Sequence, residues 1–579
     1  MDLWFGTSGP RDAEIVLVGE SWGVDEMAQK QPFVGSSGKE LDRMLAEAGI
    51  IRDACFATNV IPARPPGNEM WRFFEPTKQK TGMALRGLYP NDEIRHSVAT
   101  LHQQLIAVSP KVVIACGNYA LWALTHCTGF STPTECEGRR VPSGIDSWRG
   151  SMWFCDASPA PLQDIKLIPL LHPAGIMREW YKRAVTVQDL RVRVPMALRG
   201  DWRPAPPPTI LAPPTFSEAS AKLSDWKTQA DSGQRIRLVS DVETVPARGL
   251  LACAGFADSA NFAMCIPFIL PRDGGKRFDS YWTPKEEFHL VKLIREVLHH
   301  PNVLVEGQNY LYDSQWFIAF LACIPNLSFD TMLAHHLLFP GTPKGLDYLS
   351  SLYCTYHWYW KADGKEWDVK EEPKKLWDYN GLDCLRQYEV GTVLRDLIPK
   401  MDQEQQWIET LERNALALRM MRRGVRINQQ HRGKLAYDLT IASSQFEEWF
   451  LRMVPQSWVE TNSPKNWYRS NLQQRQLFSQ VLGLRLPLHR KTGRETLGAE
   501  GMAVLASRHP EFRRLFTALE DYRSLEVFNN TFVKAPLDPD GRMRCMFNVA
   551  GTETFRWSSS ENAFGRGTNL QNIPSGTED

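Results

Sequence analysis

Residues 236–244 read IRLVSDVET, and the reading of this stretch governs the rest of the chain. Its β-branched and apolar content predicts a strand over 235–242 that opens a strand-and-helix unit. Side chains alternate along a strand, so Asp241 and Glu243, two apart, leave on one face and aim two hard oxygen ligands at one spot. Farther on, EGQNYLYDSQWF (306–317) sets Asn309 and Asp313 four apart, and LWDYNGLDC (376–384) sets Tyr379 and Asp383 four apart. That spacing predicts each pair on one face of a helix. Four acids and a tyrosine suit phosphodiester hydrolysis, in which two Mg²⁺ or Mn²⁺ ions about 4 Å apart clamp the attacking and leaving oxygens.

The 579 residues exceed what one hydrophobic core organises, and 43% apolar with 23% charged residues fits several globular domains. The longest apolar run, 316–324, is far short of the about 20 residues that span a bilayer, and the N-terminus lacks a basic leader. A soluble cytoplasmic protein without membrane contact is expected. Eleven cysteines with no Cys-x-x-Cys pair read as reduced core thiols. The net charge of +1 hides a gradient. Residues 401–579 carry 24 Lys+Arg against 20 Asp+Glu, a balance of +4 that leaves −3 for the rest. A basic C-terminal part suits DNA, and equally a solvated face.

Six prolines in GDWRPAPPPTILAPPT (200–215) mark a connector, because a proline-dense stretch resists helix and sheet. Before it, apolar strands at 14–19, 111–116 and 166–171 alternate with helical patterns such as 39–48, the signature of a parallel α/β sheet. Beyond about residue 400 helical periodicity dominates, with breaks at Arg423-Gly424 and at Asn462-Ser463-Pro464.

Taken in order with FDTMLAHHLLFPGTPKGLDYLSSLY (329–353), the three acidic segments resemble the Asp-Glu-Asp-Asp-Tyr proofreading exonucleases that accompany family A DNA polymerases. The resemblance spans about 215–395. It implies a ribonuclease H-like 3′–5′ exonuclease with Asp241, Glu243, Asp313 and Asp383 as ligands of two Mg²⁺ or Mn²⁺ ions. Tyr379 would orient the attacking water, and Asn309 would only support the second motif.

Farther on, NSPKNWYRSNLQQRQLF (462–478), KTGRETLGAEGMAVLASRHP (491–510) and FRRLFTALEDYRSLEVFNNTFV (512–533) resemble the thumb of family A polymerases. TETFRWSSS (552–560) and TNLQNIP (568–574) resemble the segment those enzymes lay against primer-template DNA. Guanidinium and amide groups hydrogen-bond phosphates and minor-groove acceptors, which suits Arg556, Asn569, Gln571 and Asn572 to DNA binding. The family pattern has Gly-Arg-Leu where this chain reads Phe555-Arg556-Trp557, and it lacks residues 564–567. It also continues into an acidic palm and nucleotide-binding fingers that this sequence does not reach. The resemblance therefore implies a partial palm, and either a second polymerase chain as partner carrying the remainder, the favoured expectation, or a truncated sequence.

Near the N-terminus three polar motifs follow three strands: GESWG (19–23), ATNVIPARPPGN (57–68) and LHPAGIMR (171–178). In open α/β sheets the ligand crevice lies beyond the carboxyl ends of the strands, so the motifs should converge there. With QPFVGSSGKELDRML (31–45) and PKVVIACGNYA (110–120) they resemble the uracil-DNA glycosylase superfamily, most closely its family 4 type, over about 10–195. The resemblance implies a uracil pocket in which Phe33 stacks on the base, Asn59 pairs with its edge, His172 serves the developing O2 anion and Glu20 organises the floor. Ser21 and Trp22 depart from the family motif, and the bulky Trp22 is expected to reshape the pocket mouth. Ala63 stands where a cluster cysteine would precede Arg-Pro-Pro, so no iron–sulfur cluster is expected. Excision and silent uracil sensing both stay open.

The expected architecture is α/β multidomain: a glycosylase-like α/β/α sandwich (1–199), a proline-rich linker (200–214), the exonuclease (215–397), and a mostly helical thumb with incomplete palm (398–579). Such a chain would proofread and inspect DNA within a replicative or repair polymerase, as bacteriophage fusions do. A stand-alone repair nuclease and an inert DNA-binding scaffold are the alternatives.

Overall fold

Two open sheets organise the first 412 residues. The computed structural model describes residues 2–75, 89–125, 134–136, 139–141, 144–155, 162–199, 208–357, 360–361, 367–454, 458, 464–490 and 493–573. It falls into two compact units, Met1–Glu412 and Arg413–Asp579.

The first sheet is built from β1 (Ile15–Ser21), β2 (Cys55–Ile61), β3 (Val112–Cys116), β4 (Trp153–Phe154) and β5 (Lys166–Leu170) in the order β2-β1-β3-β5-β4. All neighbours are parallel except the edge strand β4. The three strands expected at 14–19, 111–116 and 166–171 are β1, β3 and β5. Strands β2, β3 and β5 are buried at every position, as unbroken apolar runs must be. Helices α1 (Ser36–Glu47), α2 (Asp92–Val108), α3 (Pro173–Arg178) and α4 (Arg183–Leu198) add Leu41, Met44, Leu105, Ile176 and Leu190 to one core with Leu17, Phe56 and Ile114.

The second sheet holds β6 (Thr209–Leu211), β7 (Ile236–Val245), β8 (Leu250–Ala257), β9 (Phe262–Pro267), β10 (Val303–Gly307) and β11 (Leu327–Asp330), in the order β6-β9-β8-β7-β10-β11. The connector expected at 200–214 needs correction here. Residues 209–211 pair with β9 as an edge strand, because Thr-Ile-Leu between the prolines keeps the amides a ladder needs; residues 200–207 lie outside the described set. Helix α5 (Phe216–Asp231) starts at a capping box between Thr215 and Glu218. Then follow α6 (Leu311–Leu321), α7 (Leu346–Tyr353) and the long α8 (Pro373–Lys400), whose Pro373 fits the first turn.

Helix α8 lies across β7, β8 and β9. Gly255 permits the close approach: a Cβ there would stand 2.3 Å from Asn380 Oδ1 and 2.7 Å from Cys384 Sγ. The two sheets are joined through α4 and α7. Arg149 makes a two-armed ion pair with Asp189 (2.8 and 2.6 Å) and also donates to Ser351 Oγ at 2.5 Å. Arg193 donates to the backbone carbonyls of Ser351, Cys354 and Thr355 at 3.2, 3.0 and 2.8 Å.

In the unit 413–579, α9 (Gln429–Met453) and α10 (Arg513–Phe528) share an aromatic core of Phe450, Trp467, Tyr468, Phe516 and Tyr522. The expected break at 423–424 is present, with Gly424 left-handed at φ 60°. Asn462 and Ser463 lie outside the described residues. Strands β12 (Cys545–Asn548) and β13 (Ser558–Glu561) form an antiparallel hairpin. Among the described residues no helix is long and apolar enough to cross a membrane.

Candidate active sites

Strand β7 carries Asp241 and Glu243 on one face, and α8 brings Asp383 above them. Ligand oxygens of these three carboxylates lie within 4.8 Å of one another. Asn380 and Gln387 donate to the two oxygens of Asp241 at 2.8 and 2.7 Å. Tyr379, Asn380, Asp383 and Gln387 thus come from one side of α8, as spacings of three and four require. Burial and the neighbouring Asp383 charge push Asp241 up to about 7. Burial and the Asp241 charge also raise Glu243 well above the usual carboxylate range. Buried acids that raise one another carry more negative charge than the nearby Lys361 ammonium offsets, and an all-oxygen donor set of this kind fits a hard divalent cation.

Asp313 stands apart from that trio. It is buried on α6, and its Oδ1 accepts the Val242 amide at 2.9 Å, between the two strand carboxylates. Its carboxyl is raised by burial and then by the Asp241 charge. The expectation that Asn309 and Asp313 share a helix face is corrected: α6 begins at Leu311, and Asn309 sits before it in the left-handed region at φ 54°. Asparagine tolerates that conformation better than most residues. Buried Asp330 fixes this turn by accepting the amides of Asn309 and Tyr310 at 3.2 and 2.8 Å while capping the helix that starts at Thr331. Its Asp-Thr start was a readable cap signal.

Lys361 went unnoticed in the sequence. Its Nζ donates to Asp383 Oδ2 at 2.6 Å and to Tyr379 Oη at 2.9 Å. The indole N–H of Trp360 donates to the other Asp383 oxygen. Burial alone would depress the lysine, but the charge and hydrogen bond of Asp383, joined by the charges of Asp241 and Glu243, together outweigh it and hold the ammonium above its usual range. No spacing rule ties 360–361 to the strand or to α8, so no pattern marked them. Tyr379 is raised by burial and by Asp383, which keeps its hydroxyl protonated.

At the carboxyl ends of β1, β2 and β5 lies a cavity of about 490 Å³ whose lining includes Glu20, Trp22, Phe33, Asn59 and His172. Gly19 pairs in register with Asn59, and a Cβ on it would meet Asn59 Nδ2 at 2.5 Å and Phe33 Cζ at 2.8 Å. A side chain at 19 would therefore displace both. Asn59 is 6% exposed, and its buried Oδ1 has no hydrogen-bond partner among the described residues. His172 caps α3, its Nδ1 accepting the Ala174 amide at 3.2 Å. That bond leaves Nε2 as the N–H of the neutral ring.

Glu20 accepts the Tyr119 amide at 3.1 Å and so ties the cavity floor to the first turn of the helix Asn118–Leu124 that follows β3. Glu26, unread in the sequence, does the same for Gly23 and Gly35 at 3.1 and 3.2 Å. Trp22 lines the cavity but is 2% exposed, with its indole 5.6 Å from the Phe5 ring, so most of its bulk is taken into the core.

In the second unit Arg556, Gln571 and Asn572 are exposed. Asn569 uses its Oδ1 internally, accepting from Ser559 Oγ at 2.6 Å and from the Gln571 amide at 3.1 Å. It braces the turn at 570–572.

Residues 5–191 match the model of the Uracil DNA glycosylase superfamily. A type-4 uracil-DNA glycosylase of Archaeoglobus fulgidus is 29% identical over 171 residues, covering 29% of this chain and 69% of that protein. A DNA polymerase of Bacillus phage SP01 is 22% identical over 363 residues, covering 58% of this chain but only 33% of the relative. The chain thus spans about a third of the phage polymerase's length. The solved POL domain of Pol1 from M. smegmatis, in complex with DNA primer-template and dNTP, overlays with a TM-score of 0.41 at 17% identity, covering 64% of this chain and 56% of that chain. The chain carries an N-terminal domain of the uracil DNA glycosylase superfamily within a multidomain α/β protein that is homologous to a phage DNA polymerase.

Proposed function

We propose that this chain removes nucleotides from DNA 3′ ends at the Asp241 cluster and recognises and excises uracil at the N-terminal cavity, both in the service of a DNA polymerase. The observation that carries the first reading is the meeting of Asp241, Glu243 and Asp383 beneath Tyr379. In this reading those three carboxylates hold one Mg²⁺ or Mn²⁺, and Asp313 joins Asp241 around a second. When bound, such ions supply Lewis-acid polarisation of the scissile phosphate and a more acidic attacking water.

The protein's own part is orientation. Asn380 and Gln387 fix both Asp241 oxygens, so that ligand keeps one rotamer. Tyr379, held protonated, accepts or donates one hydrogen bond at Oη and so orients a water without acting as its base. The test is digestion of a 5′-labelled oligonucleotide by the purified chain. Stepwise shortening with Mn²⁺ and none in EDTA is expected; an intact strand with Mn²⁺ present overturns the reading.

For the cavity, Phe33 offers a stacking face, and the unpartnered Asn59 Oδ1 calls for a donor such as uracil N3–H while its amide donates to O4. Cytosine presents the opposite pattern at that edge. His172 Nε2–H would stabilise the O2 anion as the base leaves. No carboxylate of the first motif is assigned to activate water, so departure rests on leaving-group stabilisation. Strand scission of a uracil-containing oligonucleotide after alkali treatment is expected; binding without scission would leave sensing only. The exposed Arg556, Gln571 and Asn572, with Asn569 bracing their turn, are assigned to the sugar-phosphate backbone and minor groove of DNA.

A further inference from the structure

Asp383 is the carboxylate of the cluster on which a cationic side chain sits. Lys361 Nζ takes one oxygen and Trp360 Nε1 the other, so two consecutive residues outside the metal-binding elements occupy it. The lysine side chain is only 14% exposed, its Nζ lies 5.1 Å from the Tyr379 ring centre, and it also holds the Tyr379 hydroxyl. A divalent ion needs an Asp383 oxygen at about 2.0–2.6 Å, and an ammonium on the same carboxylate repels it at short range.

We propose that Lys361 is a resident counter-ion of this site, which competes with a divalent cation for Asp383 and, while seated there, holds the Tyr379 hydroxyl. This rests on the exonuclease reading of the cluster. Seated, Lys361 balances part of the buried negative charge and ties the tyrosine and the aspartate together. Displaced by the metal, it frees Tyr379 Oη for the water it is to orient. The residue is thus a positioning residue with a direct bearing on metal affinity. Removing its charge should tighten metal binding, whereas a merely structural residue would loosen the site when lost.

The experiment is calorimetric titration of the full chain with Mn²⁺ alone. Lys361→Met is expected to lower the half-saturating Mn²⁺ concentration by about tenfold, because a neighbouring like charge disfavours the incoming ion. Lys361→Arg should stay near the parent, and Lys361→Gln, neutral yet able to hydrogen-bond, should move with the Met variant. An unchanged or raised midpoint in Lys361→Met, or a Gln variant that tracks the parent, overturns the proposal. Asp241→Ala separates the two levels of the argument: if it binds Mn²⁺ as the parent does, the carboxylate cluster is not the metal site and the exonuclease reading fails first.

Discussion

His335 illustrates how burial sets chemistry one residue at a time. It is 1% exposed, with Nδ1 2.8 Å from Tyr353 Oη and Nε2 2.7 Å from Thr342 Oγ1. Burial, then the neighbouring His336, pushes it down to about 4. The fold therefore favours the neutral ring. Its contribution is complete above the ordinary histidine value of about 6.5 and is lost as pH falls toward 4, on the order of 3 kcal/mol in total. Urea midpoints measured between pH 7 and 4 should fall more steeply for the parent than for His335→Gln; equal slopes would contradict this. At the same scale, Asp241 and Glu243 were legible because a strand has a period of two. Asn59 and His172 were legible only through motif order, and Lys361 not at all, since its role comes from tertiary approach alone.

Between elements, the decisive contact is α8 on the second sheet. Gly255 leaves room for Asn380 and Cys384, and Asn380 in turn holds Asp241. Gly255→Ala should lift α8 locally, costing about 1–3 kcal/mol as overpacking does, and should weaken Mn²⁺ binding although no ligand is altered. Unchanged stability and Mn²⁺ affinity would show that α8 has slack there. Strands β1, β3 and β5 of the first sheet were readable from apolar runs, and the helices beyond residue 400 from their periodicity. The edge strand at 209–211 was not, because flanking prolines argue against a sheet. Nor was the turn at Asn309, where Asp330 overrides the helical spacing with competing hydrogen bonds to the backbone.

For the whole molecule, the pairing of a glycosylase-superfamily domain with a second α/β domain is more than a tether. Arg149 and Asp189, 5% and 2% exposed at their side chains, form a buried pair that also reaches Ser351. Breaking a buried pair on one side strands the other charge at a cost of about 3–5 kcal/mol. A 1–412 fragment is expected to melt in one transition, and Arg149→Ala should lower its midpoint and split it in two; a single unshifted transition in the variant would mean that the domains fold independently. The N-terminal position of the glycosylase-superfamily domain was visible in the sequence from motif order. This interface was not, because its arginines look like any surface charges until the fold buries them.

As proposed, the carboxylates of β7 and α8 make a metal-dependent 3′ nuclease. The most direct measurement follows a 5′-labelled strand with the Asp241→Ala/Glu243→Ala double variant beside the parent, in Mn²⁺, together with DNA affinity for both. Digestion by the parent only is expected, with DNA binding preserved in the variant. Digestion that survives in the double variant would place the chemistry elsewhere in the chain.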